Sequence, residues 1–229
     1  MKVLIIQNCR AESVGLYERY LKDRGIPYFV FRAYSGKRFP PQSRYDAFIV
    51  GGTPISANDF GRHRFLKNEW RYLKKALSRD MPFLGICFGA QILARLLGGE
   101  VKKNHVMEIG GYDVRLTDDG LRSRFFRKFP RRFPVFHWHG DTFTVPPGGK
   151  LLAIGEACHH QAFSYGRVLG LLFHLEIDAG EAGRWAAAYP QELKLVSKTA
   201  AQVKIECRQR EPEMQRLAYR LLDDFFTSL

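Results

Sequence analysis

The stretch PFLGICFGAQIL, residues 82–93, decides the fold predicted for this chain. Its first half is an apolar run typical of a buried strand, and its second half continues as a helix, so Cys87 falls at the junction. A side chain on so sharp a turn needs small neighbours, which Gly85 and Gly89 provide. The turn also brings the sulfur close to a helix N-terminus, which favours thiolate. The stretch therefore indicates either a nucleophilic cysteine or a small core residue whose glycine neighbours allow close packing.

Apolar runs that alternate with helical patterns precede this stretch. Residues 3–6, 28–31 and 47–50 are predicted strands, and the apolar spacing from about residue 64 to residue 78 predicts a helix. Strands that alternate with helices indicate an α/β fold, a doubly wound and mostly parallel sheet flanked by helices. In such sheets ligands bind at the carboxyl ends of the strands, where Cys87 lies.

The second half of the chain is less regular. Strands are predicted around residues 112–116, 134–136 and 151–154, and residues 162–165 and 169–173 form a predicted hairpin that turns at Gly166. Residues 180–229 are predicted to be a helical tail packed on the sheet, with an apolar stripe that follows Pro212 in the first turn of its helix. The sequence shows no internal repeat and no long linker, so we expect one domain over residues 1–229.

A second segment, LLFHLE at residues 171–176, places His174 and Glu176 two positions apart at the end of a predicted strand. Strand alternation directs both side chains to the same face. A cysteine nucleophile needs a base, and the base needs a carboxylate that fixes its tautomer and stabilises the imidazolium. A lone histidine at this position is most simply a structural residue, but its pairing with Glu176 favours a catalytic role beside Cys87.

A third segment, Gly51-Gly52, directly follows the predicted strand 47–50. Glycines at this place can bring backbone N–H groups close to a developing oxyanion, and Phe88, the residue after Cys87, can supply a second donor. The alternative is a plain turn between a strand and a helix. The segment is neither a Walker loop nor a GxGxxG fingerprint, so it does not indicate a nucleotide cofactor.

Together these segments resemble the class I, triad-type glutamine amidotransferases, and in particular stand-alone proteins similar to the glutaminase half of GMP synthase. The similarity extends over most of residues 1–178, and it implies the flavodoxin-like three-layer arrangement of that family. The segments that carry the resemblance are Gly51-Gly52, Gly85-Ile86-Cys87-Phe88-Gly89-Ala90-Gln91, Glu108-Ile109-Gly110, His137-Trp138-His139-Gly140-Asp141, His160-Gln161-Ala162-Phe163 and Phe173-His174-Leu175-Glu176.

The resemblance implies roles for individual residues. Cys87 would attack the side-chain amide of glutamine, and His174 and Glu176 would assist through a γ-glutamyl thioester. The amides of Gly52 and Phe88 would form the oxyanion hole. The residues implied in holding the α-amino and carboxylate groups of glutamine are Gln91, His139, Gly140 and Asp141. The released ammonia would pass to a synthetase.

The chain departs from the family pattern at three positions. Thr53 precedes Pro54 where the family often has Gly-Gly-Pro, and Leu172 and Leu175 replace the usual glutamine and proline. None of these departures removes a side chain of the proposed triad. No synthetase domain is recognisable in the 229 residues, so either a separate subunit uses the ammonia or the protein hydrolyses γ-glutamyl amides for its own sake.

The composition excludes several other classes of protein. The 229 residues carry 36 Lys and Arg against 23 Asp and Glu, a net charge of +13, which excludes an acidic disordered chain. No apolar run is long enough to span a membrane and no signal peptide is recognisable, so we expect a cytoplasmic protein. The four cysteines form no CxxC pair, and the histidines at 137, 139, 159 and 160 lack zinc-ligand spacing, so no metal is expected.

Basic residues are concentrated between residues 122 and 132, where phenylalanines interleave with them. Such a pattern occurs on nucleic-acid surfaces, but it also fits a solvated helix that buries its phenylalanines, and we favour the second interpretation. Nucleic acid is therefore not an expected partner. The stretch could instead dock an acidic partner or steer an anionic substrate.

Three hypotheses for function follow. The first is a glutamine amidotransferase-type hydrolase that supplies ammonia to a separate synthetase. The second is a free-standing γ-glutamyl peptidase or hydrolase. The third is a catalytically idle binding module with a basic face, which predicts that Cys87 does not react with a glutamine-like electrophile.

Overall fold

The computed structural model describes residues 1–227, and the last two residues of the predicted domain and helical tail lie outside the described residues. The strands, in chain order, are β1 Val3–Gln7, β2 Tyr28–Arg32, β3 Ala47–Val50, β4 Phe83–Ile86, β5 Val101–Leu116, β6 Arg132–Phe143, β7 Lys150–Ile154, β8 Ala162–Tyr165 and β9 Val168–Leu171. The helices are α1 Gly15–Asp23, α2 Arg64–Leu77, α3 Phe88–Leu96, α4 Asp118–Arg122, α5 Ala179–Ala188, α6 Pro190–Leu195 and α7 Ala200–Thr227.

The strands form a nine-stranded mixed sheet in the order β2-β1-β3-β4-β9-β8-β7-β5-β6. The pairings from β2 through β1, β3 and β4 to β9 are parallel, and the pairings from β9 to β6 are antiparallel. The predicted α/β class with flanking helices is confirmed, and its parallel part is these five strands. Because parallel strands share one carboxyl edge, the segments that follow β1, β3 and β4 meet there.

Helices cover both faces of the sheet and bury its alternating side chains. On β1, Val3 and Ile5 belong to one apolar cluster, which includes residues of α1, α5 and α7. Leu4 and Ile6 belong to the other cluster, which includes α2 and α3. This alternation explains why the strand is apolar at every position and why the molecule has three layers. We propose that residues 1–227 form a single domain around this sheet.

Two regions differ from the sequence-based expectation. The strands predicted at 112–116 and 134–136 are parts of the much longer β5 and β6, whose antiparallel pairing is irregular between Lys103 and Glu108. The first half of β5 contains exposed polar residues such as Lys102, Lys103 and His105, and β6 continues through the buried polar residues His137, His139 and Asp141, so the apolar pattern marked only fragments of both strands.

The C-terminal prediction of helix is confirmed, but the position predicted for Pro212 is wrong. This residue lies inside the 28-residue α7 instead of in a first turn. The helix continues through the proline because apolar residues on both sides of it are buried, among them Val203 and Cys207 before it and Met214 and Leu217 after it. Tertiary packing thus overrides the loss of one helical hydrogen bond. Within residues 1–227, no helix combines the length and the apolar character that a membrane span requires.

Candidate active site

Cys87 lies at the abrupt junction of β4 and α3 with a backbone φ of 51°, in the left-handed region that non-glycine residues rarely adopt. Gly85 and Gly89, two residues before and after Cys87, lie so close to neighbouring backbone atoms that a side chain would not fit at either position. A Cβ at Gly85 would lie 2.6 Å from the backbone of Gly89, and a Cβ at Gly89 would overlap the carbonyl of Val50 in β3. The Cys87 N–H donates to the carbonyl of Leu171 at 2.8 Å, which fastens the turn to β9.

The Cys87 side chain is 9% exposed and borders a pocket of about 240 Å³ at the carboxyl edge of the sheet. Its Sγ lies 3.7 Å from the backbone oxygen of Trp138. Helix α3 begins at the next residue, so Cys87 lies at the end of the helix that carries the free N–H groups. A pocket of this size suits an amino acid better than a drug-sized ligand.

His174 lines the same pocket, and Glu176 contacts its ring from outside the pocket lining. The His174 Nδ1 lies 2.5 Å from Glu176 Oε1, and the second carboxylate oxygen accepts the N–H of Leu175 at 3.0 Å. Both side chains are 2% exposed. His174 follows β9 instead of ending it, and two backbone hydrogen bonds with Phe136 of β6 hold it there. The Trp185 ring packs edge-on against the imidazole.

The pKa of His174 results from opposing effects. Burial lowers it, but the Glu176 carboxylate and the Cys87 thiol raise it by more, so that it rises from 6.5 to about 10. His174 Nε2 is buried and makes no hydrogen bond to the described residues, while the ring lines the pocket together with Cys87. A histidine that holds its proton above neutral pH, beside a thiol at a helix N-terminus, can support an imidazolium–thiolate pair.

Gly15 supports this arrangement from outside the pocket, and the sequence did not single it out. It adopts a φ of 41°, and a Cβ there would overlap the carbonyl oxygen of Glu176. The next residue, Leu16, donates its N–H to that same oxygen at 2.7 Å. The start of α1 therefore fixes the backbone that carries the glutamate, and only glycine fits at the point of contact.

The Gly51-Gly52 segment passes directly beside the cysteine. A Cβ at Gly52 would lie 3.8 Å from the Cβ of Cys87. The segment is anchored because Gly51 N–H donates to the carbonyl of Ile6 at 3.0 Å and Asn8 Nδ2 donates to the carbonyl of Gly51 at 3.3 Å. Within residues 1–227, the N–H groups of Gly52 and Phe88 donate no hydrogen bond. Both donors are therefore available to a ligand oxygen.

The predicted glutamine-binding residues gather in one part of the pocket. Gln91, His139, Gly140 and Asp141 all line it. Gln91 Nε2 donates to the backbone oxygen of Asp141 at 3.1 Å, and the carboxylate of Asp141 accepts Ser56 Oγ at 2.5 Å and pairs with Lys103 Nζ at 2.8 Å. This part of the pocket thus offers one cation and one carboxylate, the charges that would face an amino acid's carboxylate and ammonium groups.

His139 also belongs to a buried network with His137 and Glu108. Its Nε2 lies 3.1 Å from His137 Nδ1 and 3.2 Å from Glu108 Oε2, and the potential ligand atoms of the three residues lie within 4.8 Å of one another. Gln161 Nε2 donates to the same Glu108 oxygen at 3.1 Å. Such a trio could hold a metal ion, but its separations are those of hydrogen bonds, which already join its members. His160 is directed elsewhere, with Nδ1 2.7 Å from the carbonyl of Phe143.

Glu12 is one of several pocket residues that the sequence did not single out. It lies in the segment between β1 and α1, where it accepts a hydrogen bond from the Tyr189 hydroxyl at 3.0 Å. Its other oxygen lies against Gly52, since a Cβ there would be 2.5 Å from it. Burial raises the pKa of Glu12 from 4.5 to about 7, although the charge of His174 opposes this shift. No local pattern marks this glutamate, because Tyr189 lies far along the chain.

An α/β protein with a strained cysteine turn facing a buried histidine–glutamate pair falls in the class of proteins suited to cysteine-based amide chemistry. The comparison with known sequences identifies the family within that class. The family model described as glutamine amidotransferase class-I matches residues 6–186. The chain belongs to this family, as its motifs predict.

Individual relatives agree with this assignment. The chain is 30% identical to the glutamine amidotransferase-like protein YfeJ of Salmonella typhimurium, over 77% of this chain and 76% of that protein. It is 32% identical to one subunit of the glutamine-hydrolysing GMP synthase of Sulfolobus acidocaldarius, over 61% of this chain and 71% of that relative. The crystal structure of a glutamine amidotransferase from Thermotoga maritima superposes with a TM-score of 0.91, at 31% identity and over 98% of this chain and 97% of that one. The matched part spans about a third, 34%, of the whole GMP synthase of Borreliella burgdorferi.

Proposed function

We propose that the protein hydrolyses the γ-amide of glutamine through a γ-glutamyl thioester on Cys87 and releases ammonia for a separate synthetase. The observation that carries the proposal is the single pocket that brings Cys87, on its strained turn, together with the buried His174–Glu176 pair. Membership of the class-I glutamine amidotransferase family supports the same chemistry.

The proposed reaction has two halves. The Cys87 thiolate attacks the amide carbon, the carbonyl π electrons move to oxygen, and a tetrahedral intermediate forms. The C–N bond then breaks as His174 gives its proton to nitrogen, which leaves as ammonia. A water molecule, losing its proton to His174, attacks the thioester, and the C–S bond breaks to release glutamate and regenerate the thiolate. Glu176 holds the imidazole through Nδ1 and stabilises its charged form.

The oxyanion of both tetrahedral intermediates needs hydrogen-bond donors. The N–H groups of Gly52 and Phe88 are proposed for this role, since Gly52 lies beside Cys87 and Phe88 follows it at the start of α3. Removing one such donor typically costs about 10²–10³ in kcat. A Cβ at position 52 would lie 2.5 Å from Glu12 Oε2, so a side chain there would displace the buried Glu12 carboxylate.

The part of the pocket around Gln91 is proposed to hold the amino-acid end of glutamine. Gln91 and the backbone at His139, Gly140 and Asp141 would position the α-amino and carboxylate groups, with the cation of Lys103 near the carboxylate. Holding both ends of the substrate aligns the amide carbon with the sulfur and lowers the entropy cost of the attack.

The fate of the ammonia is the finer part of the proposal. The relative in Sulfolobus acidocaldarius is named as one subunit of GMP synthase, a name that implies a further subunit in that protein. We infer a comparable division of labour here, with ammonia used by a separate synthetase. A free-standing γ-glutamyl hydrolase would share every chemical step but would not depend on a partner.

The proposal is tested by measuring the release of glutamate and ammonia by the purified protein. Glutamine and γ-glutamyl peptides are compared as substrates, each in the presence and absence of an ammonia-dependent synthetase. We expect hydrolysis of glutamine that is lost in Cys87→Ala and retained in Cys207→Ala, a matched removal of a buried thiol that does not line the pocket. Strong activation by the synthetase supports the amidotransferase role. Fast, partner-independent cleavage of γ-glutamyl peptides would replace it with the hydrolase role, and a folded protein that cleaves nothing would contradict both.

A further inference from the structure

A second, larger concavity of about 770 Å³ lies between α2 and the segment that joins β2 to β3. We call it the basic groove and define it by its six cationic residues, Lys37, Arg38, Arg64, Arg71, Lys75 and Arg79. Among residues 1–227, no acidic residue lines it. The proposed catalytic chemistry uses none of its residues.

The charges of the basic groove are not neutralised by the protein. None of its six cations forms an ion pair within the described part of the chain. The stretch 122–132, which the sequence marked as the basic region, differs in this respect. There Arg122 pairs with Asp119, and Arg131 and Arg132 pair with aspartates at 118 and 113. Its phenylalanines are buried, as expected for a solvated surface over a core.

The cations of α2 form a stripe along one face of the helix. Arg64, Arg71 and Lys75 are spaced by seven and four residues, so they share a face and extend over about 16 Å at 1.5 Å per residue. Lys37 and Arg38 lie on the opposite wall. A single phosphate or a compact triphosphate would need cations that converge on one point. A stripe facing a second basic wall fits an extended chain of negative charges.

Aromatic and apolar groups lie between the two basic walls. Phe39 and Tyr72 line the groove and are half-buried, with ring centroids 4.5 Å apart, and Pro40 and Pro41 continue the apolar surface. The hydroxyl oxygen of Tyr72 is buried and has no hydrogen-bond partner within residues 1–227.

We propose that the basic groove binds single-stranded nucleic acid. The phosphates lie along the cations of α2 and of residues 37–38, and one or two bases contact the aromatic surface at Phe39 and Tyr72. A basic channel with interleaved aromatic rings is the arrangement by which proteins hold single strands without reading their sequence. An acidic peptide would satisfy the charges but would leave the planar aromatic surface without a matching group.

Fluorescence anisotropy tests the proposal. Binding of a labelled single-stranded oligonucleotide of mixed sequence to the full chain is measured over a range of salt concentrations. For single strands, the logarithm of the association constant falls with the logarithm of the salt concentration, with a slope of about −0.7 per neutralised phosphate. Six cations that each neutralise one phosphate therefore predict a slope near −4. The double variant Arg71→Gln, Lys75→Gln should weaken binding more than tenfold and flatten the slope by about 1.4. The matched control, Arg122→Gln with Arg131→Gln, removes the same charge from the ion-paired stretch and should leave binding unchanged.

Each outcome decides the matter independently of the proposed hydrolysis. The substituted residues are exposed and lie outside the pocket, so all variants should keep the wild-type unfolding curve and the wild-type rate of glutamine cleavage. If the control double variant bound the oligonucleotide as weakly as the groove double variant, the loss of affinity would come from net charge alone, and the proposal would be overturned. The proposal would also be overturned if polyglutamate or inorganic triphosphate competed as effectively as unlabelled oligonucleotide. Absence of salt-dependent binding would overturn it too.

Discussion

The structure contains two buried histidine–carboxylate groups at the same edge of the sheet, and they differ in what their nitrogens contact. In the His174–Glu176 pair, Nδ1 is held by the carboxylate at 2.5 Å while Nε2 has no hydrogen bond to the described residues. In the network of Glu108 with His137 and His139, the Nε2 of His139 is engaged by both partners. In the second group the Nε2 of His139 holds β5 against β6, and its Nδ1 also lacks a hydrogen bond to the described residues. The groups therefore differ in the partner of the ring, because Cys87 acts on His174, whose Nε2 is left for chemistry.

Electrostatics separates the two groups in the same way. The pKa of His174 is raised to about 10, because Glu176 and Cys87 together outweigh the effect of burial. The pKa of His137 is lowered well below 6.5 by burial and by the neighbouring charges of His139 and His174. A cysteine hydrolase needs one histidine that gains and gives a proton, whereas a scaffold needs histidines that stay neutral. Geometry and charge therefore distinguish residues that the sequence shows merely as histidines near glutamates.

The largest expected effect comes from removing the free nitrogen. His174→Ala should lower kcat for glutamine by about 10³-fold or more, since it removes the group that holds and transfers the proton. Steady-state glutamate release measures the loss, and a thermal unfolding curve checks the fold. The matched control is His160→Ala, which removes a histidine outside the pocket. Similar rates in the two variants would break the distinction between the histidines.

Removing the charge of Glu176 should have a smaller effect. Glu176→Gln leaves the shape intact but withdraws the carboxylate that raises the pKa of His174, so kcat should fall by about 10²-fold. In the wild type, His174 holds its proton below about pH 10. Without the carboxylate, the pKa of His174 should be lower, so the variant should lose this proton at a lower pH. The basic limb of the kcat/KM profile should therefore move to lower pH, and an unmoved limb would contradict the role assigned to the pair.

The same substitution in the second group should affect stability instead of chemistry. Glu108→Gln replaces a buried carboxylate oxygen that accepts from Gln161 and contacts His139, so the free energy of unfolding should fall by about 1–3 kcal/mol. We expect kcat to change by less than about tenfold, because no proton transfer uses this group. Urea unfolding and initial rates measure the two effects. A loss of kcat as large as in Glu176→Gln, with stability unchanged, would show that the assignment of the groups is reversed.

The smallest expected effect concerns Glu12, a third carboxylate that faces the first group. Its pKa of about 7 means that it is neutral below that pH and charged above it, and its charge would lie against Gly52 and oppose the oxyanion. The wild-type kcat/KM should therefore decline by less than about tenfold as the pH rises through 7. Glu12→Gln should remove that decline and leave the fold unchanged. A decline of equal size in the variant would assign it to a group other than Glu12.

The sequence predicted those parts of the molecule that local pattern determines. The apolar run, the glycines on either side of Cys87 and the alternation of His174 with Glu176 led to the strand–turn–helix and to the paired side chains that the structure contains. Each of these depends on neighbours within a few residues. The roles assigned to the individual side chains stay predictions until the variants are measured.

Features that depend on distant contacts could not be predicted. Glu12 becomes a pocket residue only because Tyr189 and Gly52 meet it across the fold, and Gly15 matters only where it touches Glu176. The basic groove combines residues 37–38 with residues 64–79, so neither segment is as dense in charge along the chain as residues 122–132. Counting charges along the sequence thus selected a stretch in which three arginines are paired with aspartates, and it overlooked a groove whose cations form no ion pair within residues 1–227.

The most direct test of the central claim is intact-protein and peptide mass spectrometry after treatment with 6-diazo-5-oxo-L-norleucine, a glutamine analogue whose electrophilic carbon alkylates a thiolate. The proposed mechanism predicts one label per chain, located on Cys87, formed more slowly in His174→Ala and suppressed by excess glutamine. The mechanism would be contradicted if another cysteine, namely Cys9, Cys158 or Cys207, were labelled as fast as Cys87. A folded protein that takes up no label would contradict it as well.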